Sequence, residues 1–428
     1  MPDVCIPPDY DTFRPPGVWQ SYADPVFGTS IKRISDAMAT SSYTGDRKLW
    51  WISDEYSTAS PFNLDNSKIL LVHESIFALY DGDGRFLRYL DVELNASSEP
   101  RWSRHDAEIL FYCRSNQLKR LNVVTGEKAV IRTFKEYEEI TGKGESDISA
   151  DGDRMVFAGD RRYVFVYDLA ADKCSPPFDT MGNAFDSLYI SASSDDNEVT
   201  ITWDQAGTAR LTGIELFDGR DMKFIRQLTR AGGHMDITTD DNGACLVWCN
   251  ANDPKPIAPN AVVKVPLVGS KQSVLAEFDW SLAVHVSAPD MAGFVYVETY
   301  APSNPISSDW KPYTNELLKV ALDGSGVTRL AHHRSRSFRG NKYNWQPRMS
   351  CSRDGSRIVF NSDFNLEVVL DYPEQYCDVY MIGAAAPAID APVSTEAQAA
   401  GFFGRRSKPV AKPGFGPRAR PRGEPVKI

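Results

Sequence analysis

An all-β chain, a seven-bladed β-propeller with a disordered C-terminal tail, is what this sequence predicts, and three observations predict it. A phrase made of a Ser-like residue, an Asp-Gly-type turn and an alternating β-run recurs seven times at roughly 40–60 residue intervals. Helical periodicity is nearly missing, with Phe134 to Thr141 the only short candidate. After Gly383 the composition turns to Ala, Pro, Gly and Arg.

The elements follow in order. Residues 1–24 read as an N-terminal extension, and 25–383 as the propeller. The clearest copies of the phrase are Asp147-Ile-Ser-Ala-Asp-Gly-Asp-Arg-Met-Val-Phe and Ser350-Cys-Ser-Arg-Asp-Gly-Ser-Arg-Ile-Val-Phe. Looser copies begin at Asn63, Trp102, Ser193, Thr238 and Pro289. Two further strands follow each copy, with hairpin turns such as Asp81-Gly82 and Thr125-Gly126 between β-branched and aromatic runs. Short strands in sets of four, repeated around a ring, make a propeller. The early run Thr29-Ser-Ile-Lys-Arg-Ile-Ser35 is expected to complete the last blade, beside Asp378-Val-Tyr-Met-Ile382, and so remove the exposed edge. Residues 384–428 are too poor in apolar side chains to offset the entropy of ordering and are expected to be disordered.

Bulk properties narrow the function. No run of about 18 apolar residues exists, so no membrane span is expected. The first residues lack a basic stretch followed by an apolar one, so a cytoplasmic protein is expected. Seven scattered cysteines form neither a disulfide framework nor a zinc spacing. Net charge is −10, while the tail carries eight Lys/Arg against three Asp/Glu, so the body is more acidic still. Such a body is a poor generic binder of nucleic acid. No Gly-x-Ser-x-Gly elbow and no phosphate-binding glycine loop occur.

The turns also serve as a ruler. Nine residues before the turn glycine position stand Ser57, Ser98, Lys143, Leu188, His234 and Gln346, and His285 joins them if its turn is one residue shorter. Imidazole or amide groups thus share one register in blades five, six and seven. Asp236 and Arg348 lie two positions further on. The connection from blade six to seven carries Arg334, Arg336 and Arg339 among the aromatics Tyr343 and Trp345. Arg210 and Arg230 are expected at the same mouth. Guanidinium groups grip carboxylates bidentately and aromatic rings offer flat apolar faces, so a small polyanion suits this mouth. The same residues also admit a structural reading: inner-strand histidines with satisfied hydrogen bonds, a solvated Arg-rich loop, and an Asp236–Arg348 ion pair.

Two resemblances rest on these motifs. The Ser-x-Asp-Gly-x-x-Ile-x-Phe phrase resembles the TolB-type, WD40-like (PD40) repeat over roughly residues 25–383, which implies fold but little about function. Gly233-His234, His285-Val-Ser and Gln346-Pro-Arg348 followed by Met-Ser-Cys-Ser-Arg-Asp-Gly resemble the site layout of the oligogalacturonate lyase family. That resemblance implies cleavage of a uronate oligosaccharide by β-elimination, with His234 as general base and Arg210 as the assisting arginine. It also implies a manganese ion, for which His285 and Gln346 would be ligands. The family has His-Pro-His where this chain has Gln346-Pro347-Arg348, and an arginine cannot ligate a cation. No cofactor is therefore expected: either Arg348 neutralises the carboxylate in the metal's place, or the catalytic site has decayed and the chain binds the oligosaccharide without cleaving it. His285, Gln346, Arg230, Arg334, Arg336, Arg339, Tyr343, Trp345 and Asp236 are the expected substrate contacts. The alternative is a non-catalytic TolB-like propeller that holds a protein or peptide at the channel mouth; the fold cannot choose between them.

Overall fold

The repeated phrase folds as it does because its first side chain closes a small loop. Asn63, Ser149 and Ser352 each accept the backbone N–H five residues on, from Lys68 at 2.9 Å, Arg154 at 3.0 Å and Arg357 at 3.0 Å. The Ser352 hydroxyl also donates to Asp354 at 2.6 Å, and Ser149 donates to Asp151 in the same way. The glycines that follow, Gly152 and Gly355, have φ of +81° and +68°. A side chain there would be strained, and a Cβ on Gly355 would come within 2.9 Å of the Phe294 ring.

In the computed structural model, residues 3–144, 147–190, 197–269, 271–290, 293–301, 309–336 and 343–383 are described. They form seven antiparallel sheets. The inner strands are Ile52–Ser53, Arg101–Trp102, Ile140–Thr141, Phe185–Ile190, Met235–Asp240, Ala283–Ser287 and Ser350–Cys351, for blades one to seven. Each blade is entered at its inner strand from the outermost strand of the blade before. Inner strands therefore all start at one end of the ring, here called the mouth. Apolar faces of adjacent blades interlock: Val247 and Val262 of blade five pack with Val295, Val297, Leu318 and Val320 of blade six.

The ring closes as expected. Ser30–Arg33 pairs antiparallel with Asp378–Ile382 in the register Ile31↔Ile382, Lys32↔Met381 and Arg33↔Tyr380, and Ser21–Ala23 adds outside it. Asp378, fully buried, secures the join. It accepts from Arg33 Nη2 at 2.7 Å, Ser35 Oγ at 2.8 Å, the Ala37 N–H at 2.8 Å and Tyr376 OH at 2.6 Å.

One expected element is corrected. Phe134 to Thr141 is not a helix: Phe134 is drawn into the core against Phe157, Phe165 and Tyr167, the chain turns at Tyr137, and Ile140–Thr141 is strand. Burial of an aromatic ring outweighs a weak local helix preference. Among the described residues the α-helix is the single turn Leu366–Val369, and no helix is long and apolar enough to cross a membrane. All seven cysteines are free thiols. The tail expected to be disordered, 384–428, lies outside the described residues.

Two ion pairs cross the channel at the end away from the mouth. Arg104 of blade two pairs with Asp290 of blade six, and Arg353 of blade seven with Asp147 of blade three at 3.0 Å. Above these bridges remains a cavity of about 40 Å³ lined from every blade, room for about three waters.

Asp378→Ala strands the Arg33 guanidinium in the join and is expected to cost about 3–5 kcal/mol, measured by urea unfolding. Asp378→Asn, which retains an acceptor, is expected to cost less.

Candidate active site

The residues at the start of the inner strands of blades five to seven meet at the mouth. His234 stands just before the inner strand of blade five, and its carbonyl accepts the Cys249 N–H at 2.8 Å. His285 lies within the inner strand of blade six, opposite Glu298. Their rings stack, with centroids 4.0 Å apart and planes 20° from parallel. Tyr300 also stacks with His285 at 5.2 Å, and Tyr56 of blade one meets it at near right angles at 5.8 Å.

A hydrogen bond fixes the His234 tautomer. His234 Nδ1 donates to the Val284 carbonyl, which can only accept, so its Nε2 carries a lone pair when neutral. His285 Nδ1 lies 2.6 Å from Glu298 Oε1. Glu298, wholly buried, also accepts the Arg348 N–H at 2.8 Å and the Met349 N–H. One carboxyl thus joins the imidazole stack to the backbone of Arg348, which is held in the left-handed region with φ +42°.

The Arg348 side chain is buried. Its Nη1 donates to the Glu55 carbonyl at 3.2 Å, and the guanidinium lies 4.7 Å from the Tyr343 ring. Among the described residues Nε and Nη2 have no partner of good geometry, while the guanidinium also engages the Tyr343 hydroxyl; a buried donor left so costs about 1–3 kcal/mol. Burial opposes its charge, but the Tyr343 phenol and the Asp54 carboxyl outweigh that and raise its pKa. Around it, burial pushes Asp54 and Glu55 up to about 7 and Glu298 up to about 8, although Arg348 or Arg101 and local N–H donors pull the other way. Asp54 also accepts from Asn361 Nδ2 at 2.6 Å.

The other expected residues fall in several places. Asp236 does not pair with Arg348: its oxygens accept the N–H groups of Ile237 and Ala288, both at 2.8 Å. Arg210 precedes the third strand of blade four, where it pairs with buried Glu215 at 2.8 Å and lies 3.6 Å over Phe224. Arg230 donates to the Lys255 carbonyl at 2.9 Å. Arg334 and Arg336 turn to the chain's own N-terminal segment. Arg334 lies 4.0 Å over Phe13; Arg336 lies 4.3 Å over Tyr10 and pairs with Asp11 at 2.8 Å. Trp345 is buried, edge-on to Tyr300 at 5.5 Å, so it backs the ring stack rather than facing solvent. Tyr343 is 38% exposed. Gln346 is nearly buried, and its Oε1 has no partner among the described residues. Arg339 lies outside the described residues.

Glu298, Asp54, Tyr56 and Tyr300 escaped the sequence reading. A signal for Glu298 existed: it is the lone acid in Phe294-Val-Tyr-Val-Glu-Thr-Tyr300, a run otherwise fit for a buried strand.

The histidines do not fit a shared metal. An ion bound by both must lie near each ring plane, about 2.1 Å from each nitrogen. Rings stacked 4.0 Å apart at 20° keep their planes separate over that reach. Among the described residues no group of three or more His, Cys, Asp or Glu is placed to hold an ion.

No protein-family model matches the chain, and no curated protein does; the TolB-type likeness rests on the repeat phrase alone. Among solved structures, the chain is similar to an oligogalacturonate lyase from Vibrio parahaemolyticus, at 12% identity and a TM-score of 0.57, covering 85% of this chain and 95% of that one. It is also similar to an oligogalacturonate lyase in complex with manganese, at 14% identity and a TM-score of 0.58, with the same coverage. At these identities the likeness is one of fold, a seven-bladed propeller.

Three carboxyls whose folded pKa values, about 7 to 8, exceed their ordinary 3.8 and 4.5 bind protons that the unfolded chain has released. Their contribution to stability is complete below the ordinary values, declines as pH climbs from there, and is gone once pH has passed 7 to 8. Urea unfolding is expected to show stability falling across that window, less steeply in Glu298→Gln.

Proposed function

We propose that the chain is a carbohydrate-active propeller that binds an acidic, uronate-containing oligosaccharide at the channel mouth and cleaves it by β-elimination. The observation that carries this is the buried Arg348 guanidinium, with two nitrogens that lack a partner of good geometry among the described residues, tied through Glu298 to the His285–His234 stack. A carboxylate relieves those two donors with paired, charge-assisted bonds.

The chemistry follows from the His234 tautomer. His234 Nε2 takes the proton beside the uronate carboxylate. The electrons of that C–H bond form the new double bond as the glycosidic C–O bond breaks, and the leaving oxygen takes up a proton. Charge builds on the carboxylate oxygens during this step, and Arg348 stabilises it there. Asp54 and Glu298, with pKa values raised to about 7 and 8, leave part of the arginine's charge uncompensated near neutrality. His285, held by Glu298, positions His234. Arg210, engaged with Glu215, is assigned no step.

Peptide binding is the second reading. It draws on Arg334 and Arg336, which already hold a stretch of polypeptide around Tyr10 to Phe13.

The test is ultraviolet absorbance of unsaturated uronate product over a panel of polyuronates, with and without manganese. His234→Ala is expected to lower kcat about 10²–10⁴-fold, and Arg348→Met about 10²–10³-fold, with no rescue by manganese. No product from any polyuronate would remove the lyase reading and leave peptide binding. As pH rises through 7 to 8, Asp54 and Glu298 gain negative charge beside Arg348. KM for an acidic substrate is therefore expected to rise across that window, with kinetics at fixed ionic strength as the check.

A further inference from the structure

Solvent-facing aromatic rings gather at the mouth. Among the described residues, six aromatics count as exposed: Trp19, Tyr43, Trp50, Phe86, Trp280 and Tyr343. Four of these six sit on connections that lead into an inner strand, and therefore at the mouth end. Trp280 enters blade six, Tyr343 blade seven, and Tyr43 and Trp50 blade one. These are three consecutive blades around the ring, and blades six and seven are the ones that carry His285 and Arg348.

Trp280 is the most exposed of them, at 62%, yet its turn is fixed on all sides. Asp279 accepts both the N–H and the hydroxyl of Ser281, at 2.9 and 2.6 Å. Buried Asn260 donates to the Asp279 carbonyl at 2.6 Å and to that of Leu282 at 3.0 Å. A rigid turn thus holds a large apolar ring in water on the connection that leads into the strand of His285. Trp50, 44% exposed, is held by its N–H to Glu74 at 3.0 Å, with the Arg47 guanidinium 5.5 Å from its ring. Charge agrees with an acidic ligand. Lys311 acts electrostatically on Asp279, Arg230 stands on the loop leading into blade five, 3.6 Å from Asp253, and Arg348 immediately precedes the inner strand of blade seven.

We infer that Trp280, Tyr343 and Trp50 form an aromatic crescent of sugar-stacking platforms, and that the ligand is a chain of several acidic sugars laid from blade six across blade seven to blade one. The inference rests on the proposed uronate reading and adds the ligand's length and path. Aromatic faces take the C–H face of a sugar ring while the ring's polar edge stays wet. Three such platforms flanking one carboxylate pocket favour an oligomer over a single uronate.

The test is calorimetric titration of the full chain with galacturonate and its oligomers of increasing length, and with neutral oligosaccharides as a control. Affinity is expected to rise with length in the native protein. Trp280→Ala is expected to weaken binding of the longer oligomers about 10-fold and leave the monomer unchanged, while Trp280→Phe retains most of the gain. Equal length dependence in native protein and a folded Trp280→Ala variant overturns the crescent while leaving the uronate reading in place. Binding of neutral oligomers alone, lost with Trp280→Ala, keeps the platforms and overturns the acidic ligand. Binding of no sugar overturns both.

Discussion

A ring of blades loses its free edges only if its last sheet is finished by the chain's beginning, and here that finish is secured by one buried carboxylate. Asp378 collects the Arg33 guanidinium, two hydroxyls and a backbone N–H within one join. Residues more than 340 apart in sequence are thereby fixed to each other. Loop closure over such a span is entropically costly, and concentrating several charge-assisted bonds at one point offsets that cost. Everything at the mouth depends on the closed ring, because the site is drawn from blades five, six, seven and one.

The site repeats that economy on a smaller scale. Glu298 receives an imidazole and two backbone N–H groups, so one side chain sets the spacing between the ring stack and the guanidinium. Arg348 adopts a left-handed backbone there, a conformation that a non-glycine residue keeps only where its surroundings impose it. The two nitrogens without a partner of good geometry among the described residues and the two carboxyls of raised pKa are further departures from a settled core. Such departures cluster at functional sites.

Much of the fold was legible in the sequence because its cause is local. The Ser-x-Asp-Gly phrase carries its own hydrogen bonds, so each copy announces a hairpin without reference to the rest of the chain. The register that brings His234 beside His285 follows from counting along those same turns. What the sequence concealed was long-range. Nothing near Arg334 or Arg336 indicates that residues more than 320 positions earlier will lie against them. Trp345 and Trp280 look alike in a string of letters; one packs inward on Tyr300 and the other projects into water. Phe134 misled for the same reason, since its partners come from the strands of the next blade.

The bridges that span the channel away from the mouth, Arg104 to Asp290 and Arg353 to Asp147, have a mechanical consequence. They tie blade two to blade six and blade three to blade seven across the axis of the ring. Neighbouring blades are otherwise held at their shared seam, by the interlocked apolar faces. A pair that spans the middle opposes the parting of seams it does not touch, so the halves of the ring brace each other.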